Sequence, residues 1–224
     1  WEECRMDNEF VMPMVLLVDT SESMQNIDYN TILKRMKECL QQDHYAPDWV
    51  KIAMMSFDKE VELLSDFVSV EEMPIPKLVL HKGSDMAKGI QAAADLLETQ
   101  IELYKDNTET NRLLPPALII ISDAGYSSES CKIQEAVKRA EALHQRQKMY
   151  LLCSDNCDLD KAFEVTELVL KLKVLEDDFS FIFPWEWVEE MNDYYFLETY
   201  GIYRDLPDDA IKAKEDRAID EGWY

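Results

Sequence analysis

Residues 14–23 read MVLLVDTSES, five apolar side chains in a row that run into a carboxylate and then a hydroxyl-rich turn. A strand with one wet face would alternate apolar and polar residues. An unbroken apolar run of strand length, ended by turn chemistry, is instead a strand covered on both faces, as in a parallel sheet between helices. The design recurs at residues 117–123, ALIIISD, again wholly apolar until a serine and an aspartate close it. Two such strands place the fold among α/β proteins.

Outward from these strands the periods alternate. Ile32, Met36 and Leu40, with Leu33 beside them, mark one face of a helix over residues 28–41. Residues 49–57 read as a strand, and residues 61–64 as an edge strand that pairs back on it as a hairpin. Met86, Ile90, Ala93, Leu97 and Ile101 keep helical spacing and predict a long helix. Residues 105–112 form a polar loop that Pro115 and Pro116 close. A helix carrying Ile133, Val137, Ala140 and Leu143 follows, then a strand at 149–153, a short helix at 159–165 and a strand at 168–173. The expected architecture is a doubly wound, mostly parallel sheet with helices on both faces and one antiparallel edge strand. Pro184 fits the first turn of a terminal helix ending near residue 191, which gives a main domain over residues 10–191. Residues 192–224 change character, with acidic and aromatic side chains interleaved, and read as a C-terminal extension that docks on the body or on a partner.

The chain has 224 residues, 46 of them acidic and 23 basic, for a net charge of −23. That charge repels phosphate backbones and anionic headgroups, which disfavours nucleic-acid and membrane-surface roles. The five cysteines are an odd, scattered set in a domain large enough to need no staples, consistent with reduced thiols in the cytoplasm.

In open α/β sheets, ligands bind beyond the carboxyl ends of the strands. The residues leaving the two most buried strands are Asp19, Ser21 and Ser23, in a D-x-S-x-S pattern, and Asp123; Ser84, just ahead of the long helix, offers a third hydroxyl. Hard divalent cations such as Mg²⁺ or Mn²⁺ take oxygen ligands of this kind. Three neutral hydroxyls leave such a cation most of its positive charge, so that it seeks an anion, here an Asp or Glu of another protein. The direct ligands are expected to be Ser21, Ser23 and Ser84, with Asp19 and Asp123 holding the ion directly or through water.

These five positions resemble the metal-ion-dependent adhesion site of von Willebrand factor type A domains. The order of elements, with MVLLVDTSESM, FDKEVELLSDFV and GSDMAKGI, is similar to the bacterial TerY-like, tellurium-resistance-associated members. The resemblance implies a non-enzymatic protein-binding module in a cytoplasmic stress-response or signalling complex, with kinases or phosphatases as neighbours. Three positions depart from the family pattern: Glu22 stands where Gly is frequent between the serines, Lys82-Gly83-Ser84 where Gly-Gly-Thr is frequent, and Ala124 where Gly follows the aspartate.

Other readings compete. Ser21 and Ser23 would also serve as caps of the next helix and Asp123 as the cap of a turn, and separately the chain would be a scaffold whose degenerate site no longer holds metal. A metal-dependent hydrolase would use the same ion with Glu22 or His81 as base. A phosphatase of the haloacid-dehalogenase type needs a second aspartate two residues after the first, and position 21 is serine. The five glycines, at 83, 89, 125, 201 and 222, form no phosphate-binding loop and no nucleophile elbow. Cys153 and Cys157 have the spacing of half a zinc site, without a second pair to complete it.

Overall fold

The computed structural model describes residues 9–43, 45–106, 111–143, 148–154 and 156–172. The chain divides into two compact units, Trp1–Phe179 and Ser180–Tyr224, and every described element belongs to the first. The terminal helix, the extension and the boundary near residue 191 lie outside the described residues.

Strand β1 (Glu9–Asp19) leads through a short 3-10 turn (Glu22–Met24) into helix α1 (Tyr29–Gln42) and the single-turn α2 (Ala46–Trp49). Strands β2 (Val50–Phe57) and β3 (Val61–Ser69) form the hairpin, and α3 (Met86–Asp106) follows. Then come β4 (Asn111–Leu113), β5 (Ala117–Ser122), α4 (Ser130–Ala142), β6 (Lys148–Cys153), α5 (Leu159–Val165) and β7 (Leu168–Lys171). The sheet order is β3-β2-β1-β5-β6-β7, with β4 pairing β1. Every pairing is parallel except β2 with β3.

The structure extends two of the expected strands and adds one that was not expected. β1 starts at Glu9, upstream of the apolar run, and the end of the expected polar loop becomes β4, whose Asn111, Arg112 and Leu113 pair with Glu9, Phe10 and Val11. β3 runs to Ser69 rather than stopping near residue 64, on a half-exposed edge whose register against β2 shifts between Ile52 and Met55. On α4 the fully covered side chains are Ile133, Ala136 and Ala140, with Val137 packed at the margin.

Both faces of the sheet are covered, as the unbroken apolar runs require. Val15, Leu17, Ala53, Met55, Phe57, Leu118, Ile120 and Leu151 form one core with buried residues of α3, α4 and α5. The alternate residues, Met14, Leu16, Val18, Ile52, Met54, Ile119 and Ile121, point the other way and are equally buried. Helix α1 contributes nothing to the first core and buries Leu33, Met36 and Leu40.

This topology positions the site. From β1 the chain winds toward β2 and β3; from β5 it winds in the opposite direction, toward β6 and β7. The strand order therefore reverses between β1 and β5, and the departing loops leave a crevice at their carboxyl ends. In that register Val18 pairs with Ile121, so Asp19 and Ser122 end the two strands side by side.

Candidate metal centre

Asp19 and Ser122 are both inaccessible to solvent. One carboxylate oxygen of Asp19, Oδ1, accepts the Ser21 backbone N–H at 2.9 Å. The other, Oδ2, accepts the Ser122 hydroxyl at 2.6 Å and the Ser84 hydroxyl at 3.3 Å. Ser21 Oγ and Ser23 Oγ lie 3.0 Å apart. Asp19, Ser21, Ser23 and Ser84, from two loops far apart in sequence, thus form one hydrogen-bonded set. Asp123 stands at its rim, half-exposed, with Oδ1 accepting the Gly125 N–H at 2.8 Å. Burial pushes the Asp19 carboxyl above its ordinary range, and the charge of Asp123 adds to this, against the hydrogen bonds from Ser122 and Ser21.

Backbone contacts hold the loops in place. His81 donates its N–H to the Thr20 carbonyl at 2.8 Å and accepts from the Glu22 N–H at 2.9 Å, so the segment before Ser84 pairs with the D-x-S-x-S loop. The Ser84 carbonyl accepts both the N–H and the hydroxyl of Ser127, at 3.0 and 2.9 Å. Ser128 Oγ donates to Asp85 Oδ1 at 2.7 Å. The Asp123 carbonyl accepts the Asp158 N–H at 3.1 Å, which ties the third loop to the start of α5. Gly83 has φ of +91°, a region open to glycine, and lets the chain turn ahead of Ser84.

Two residues outside the expected five belong to the site. Ser122 bonds Asp19, and the buried Tyr29 donates its hydroxyl to the Asp19 carbonyl. Burial, then the charges of Asp19 and Asp123, push the Tyr29 phenol far up, so it stays a donor. A serine ending an otherwise apolar strand was the available signal for Ser122. Tyr29 offered none, since it opens a helix like any first-turn residue.

Of the two expected bases, one is engaged and the other faces solvent. His81 Nδ1 lies 2.7 Å from Asp58 Oδ2, and its ring is 61% exposed; Glu22 is exposed. The Cys157 thiol is pushed far up by a hydrogen bond with Cys153 and by burial, the reverse of the thiolate a zinc site needs. Among the described residues no three His, Cys, Asp or Glu side chains gather as a metal-holding group. Any cation in the crevice would therefore depend on hydroxyl oxygens as well as the two carboxylates. That all-oxygen set suits a hard divalent ion.

A family profile described as the von Willebrand factor type A domain matches residues 14–126, a span that includes all five expected positions. The chain belongs to the von Willebrand factor type A domain family. Among solved structures, this von Willebrand factor type A domain is similar to proximal thread matrix protein 1 of the mussel byssus, at 11% identity and a TM-score of 0.54, over 75% of this chain and 46% of that one. A second structure of the mussel protein, described as having a zinc-occupied metal-ion-dependent adhesion site, matches at 14% identity and a TM-score of 0.51, over 77% and 46% of the two chains. The SpRpn10 VWA domain matches at 11% identity and a TM-score of 0.46, over 70% and 82%. The chain spans less than half the length of the mussel protein, and at these identities the likeness is one of fold. No curated protein sequence matches the chain. Among the described residues no helix is long and apolar enough to cross a membrane.

Proposed function

We propose that this domain is a protein-binding module, not an enzyme, that holds Mg²⁺ or Mn²⁺ through Asp19, Ser21, Ser23, Ser84 and Asp123 and uses it to capture an Asp or Glu of a partner protein. The observation that carries this reading is the convergence of the Asp19, Ser21, Ser23 and Ser84 oxygens at the point where the strand order reverses. Bound there, the cation supplies a Lewis-acidic position for an exogenous carboxylate. Ser122, Ser84 and the Ser21 N–H hold the Asp19 carboxylate in a fixed orientation, so the site is preorganised rather than assembled on binding. His81 is paired with the Asp58 carboxylate, but its ring is largely exposed and makes no hydrogen bond to Asp19, Ser21, Ser23, Ser84 or Asp123, and Glu22 is exposed, which favours binding over hydrolysis. The sequence resemblance supports placement near the TerY-like members and a cytoplasmic stress-response or signalling complex.

Calorimetric titration of the protein with Mg²⁺, Mn²⁺ and Zn²⁺, on the wild type and on Ser21→Ala and Asp123→Ala, tests the ion. Saturable binding of Mg²⁺ or Mn²⁺ that both substitutions remove is the expected result. No heat and no melting shift with any of the three ions would overturn the reading. Hydrolysis of phosphate or carboxyl esters that depends on added Mg²⁺ and is lost in Ser21→Ala would make the domain an enzyme.

A further inference from the structure

A groove of about 520 Å³ opens beside the candidate metal centre, between the start of α1 and the extended segment that leads to His81. Its apolar walls include Ile27, Ile75, Leu78 and Leu80, all half-buried. Both walls are continuous with the site. Ile27 N–H bonds the Met24 carbonyl at 3.0 Å, at the end of the turn that carries Ser21 and Ser23. On the other side Leu80 precedes His81, whose backbone pairs with Thr20 and Glu22. Tyr29 lines the groove while its hydroxyl holds the Asp19 carbonyl, so one side chain belongs to both.

Lys77 is the charged residue of the lining, exposed and without an ion-pair partner among the described residues. In a chain with twice as many acidic as basic side chains, a cation beside an apolar slot marks a local preference. We propose that this groove reads the sequence around the captured carboxylate. Its occupant is a segment of a partner protein in which the Asp or Glu that reaches the metal is flanked by a large apolar side chain, which enters between Ile27 and Leu78, and by a second acidic residue, which meets Lys77. This rests on the metal-dependent reading of the site and adds the partner's chemistry to it.

The probe is a phage-displayed peptide library with one fixed glutamate and randomised flanks, selected on the full chain in Mg²⁺. The expected consensus has a Leu, Ile, Met or Phe near the glutamate and a further acidic residue. Affinity of the selected peptide is then measured on the wild type, Leu78→Ser, Lys77→Glu and Ser21→Ala, and with the peptide's apolar residue changed to Ala. Leu78→Ser and the peptide change should each weaken binding by about tenfold or more, the loss expected when one buried apolar side chain is given up. Lys77→Glu should weaken it less and in a salt-dependent way. The peptide change needs no folded variant, so it decides the matter even where Leu78→Ser melts early.

The two readings fail differently. Peptides lost on EDTA treatment or in Ser21→Ala, but with no apolar preference and no response to Leu78→Ser, would overturn the groove and leave the metal site standing. Peptides that need the groove but ignore EDTA would overturn the metal-dependent reading and, with it, the coupling proposed here. Self-association in analytical ultracentrifugation that Leu78→Ser abolishes would assign the groove to a second copy of this chain and overturn the proposal.

Discussion

The Ser122 hydroxyl donates to Asp19 Oδ2 at 2.6 Å, between two side chains that water does not reach, and the same Ser122 oxygen accepts the Ala124 N–H at 3.0 Å. One serine thus joins the buried carboxylate at the end of β1 to the turn that presents Asp123. A hydrogen bond from a hydroxyl to a carboxylate at this separation is of the strong, charge-assisted kind.

Ser122→Ala therefore leaves a buried acceptor short of a donor and should lower stability by about 1–3 kcal/mol. It should also weaken Mn²⁺ binding, because Asp19 loses the contact that fixes its orientation. Ser127→Ala is the control: that hydroxyl bonds the Ser84 carbonyl, which keeps the Ser127 N–H. Its cost should stay below about 1 kcal/mol. Urea unfolding and calorimetric titration of both variants separate them, and equal losses would show that the Ser122 contact has no special weight.

The turn after Asp123 gives a second contrast. Ala124 has φ of +56° and is fully buried, so a left-handed backbone is carried by a residue whose Cβ is strained there. Ala124→Gly relieves about 1–2 kcal/mol of that strain, but gives up a buried methyl worth about 0.8 kcal/mol and adds unfolded-state freedom worth about 0.4–1 kcal/mol. The terms nearly cancel, and the melting temperature should hardly move. Gly125→Ala is different: a Cβ there would stand 2.8 Å from Asp123 Oδ1. That substitution should displace the Asp123 carboxylate and weaken Mn²⁺ binding, which titration of the two variants side by side would read.

What could be foreseen from the residues, and what could not, divides along physical lines. The central strands were legible because a strand buried on both faces needs an unbroken apolar run, and residues 14–18 and 117–121 are such runs. β4 was not: Asn111, Arg112 and Leu113 have no strand-like pattern, and they pair with residues about a hundred positions earlier in the chain. The outer half of β3 was hidden for a related reason, since an edge strand with shifted register loses clean alternation. Within the site, Asp19, Ser21, Ser23 and Asp123 stood out because they end apolar strands, and Ser84 because it precedes the strongest helix. Tyr29 and the groove could not be seen, because they exist only once α1 lies beside the segment leading to His81.

Gly89 tests how tightly α3 lies on the sheet under Ser84. A Cβ at Gly89 would fall 2.9 Å from Cγ and 3.2 Å from Cβ of Phe57, a ring that is fully buried at the end of β2. Gly89 is the fourth residue of α3, where replacing glycine with alanine ordinarily gains up to about 1 kcal/mol in helix propensity. Here the close atoms are the root of a packed aromatic rather than the far end of a flexible chain. Overpacking of this sort costs about 1–3 kcal/mol, so Gly89→Ala should lower the melting temperature. A rise would show that Phe57 has room to retreat.

Asp28 caps α1 and gives the domain a predictable acid response. Its Oδ1 accepts the Thr31 N–H at 3.1 Å and its Oδ2 accepts the Thr31 hydroxyl at 2.7 Å. The Thr31 hydroxyl first, and the Thr31 N–H next, hold its carboxyl below the ordinary value of 3.8. With the folded value below the unfolded one, the unfolded chain binds more protons across the window between them, and stability rises with pH through it. The ionised cap therefore contributes in full above the unfolded value, and its contribution is lost as pH falls through the lowered folded value. Asp28→Ala should melt lower than the wild type at neutral pH, and the gap should narrow as the pH falls through the lowered folded value. Asp28→Asn keeps an oxygen acceptor for the Thr31 N–H without a titrating charge. It should melt closer to the wild type at neutral pH and lack the cap's share of the acid-dependent loss. Melting curves of the three proteins from pH 7 downward check this, and a wild type to Asp28→Ala gap that stays constant with pH would show that the cap acts through backbone geometry alone.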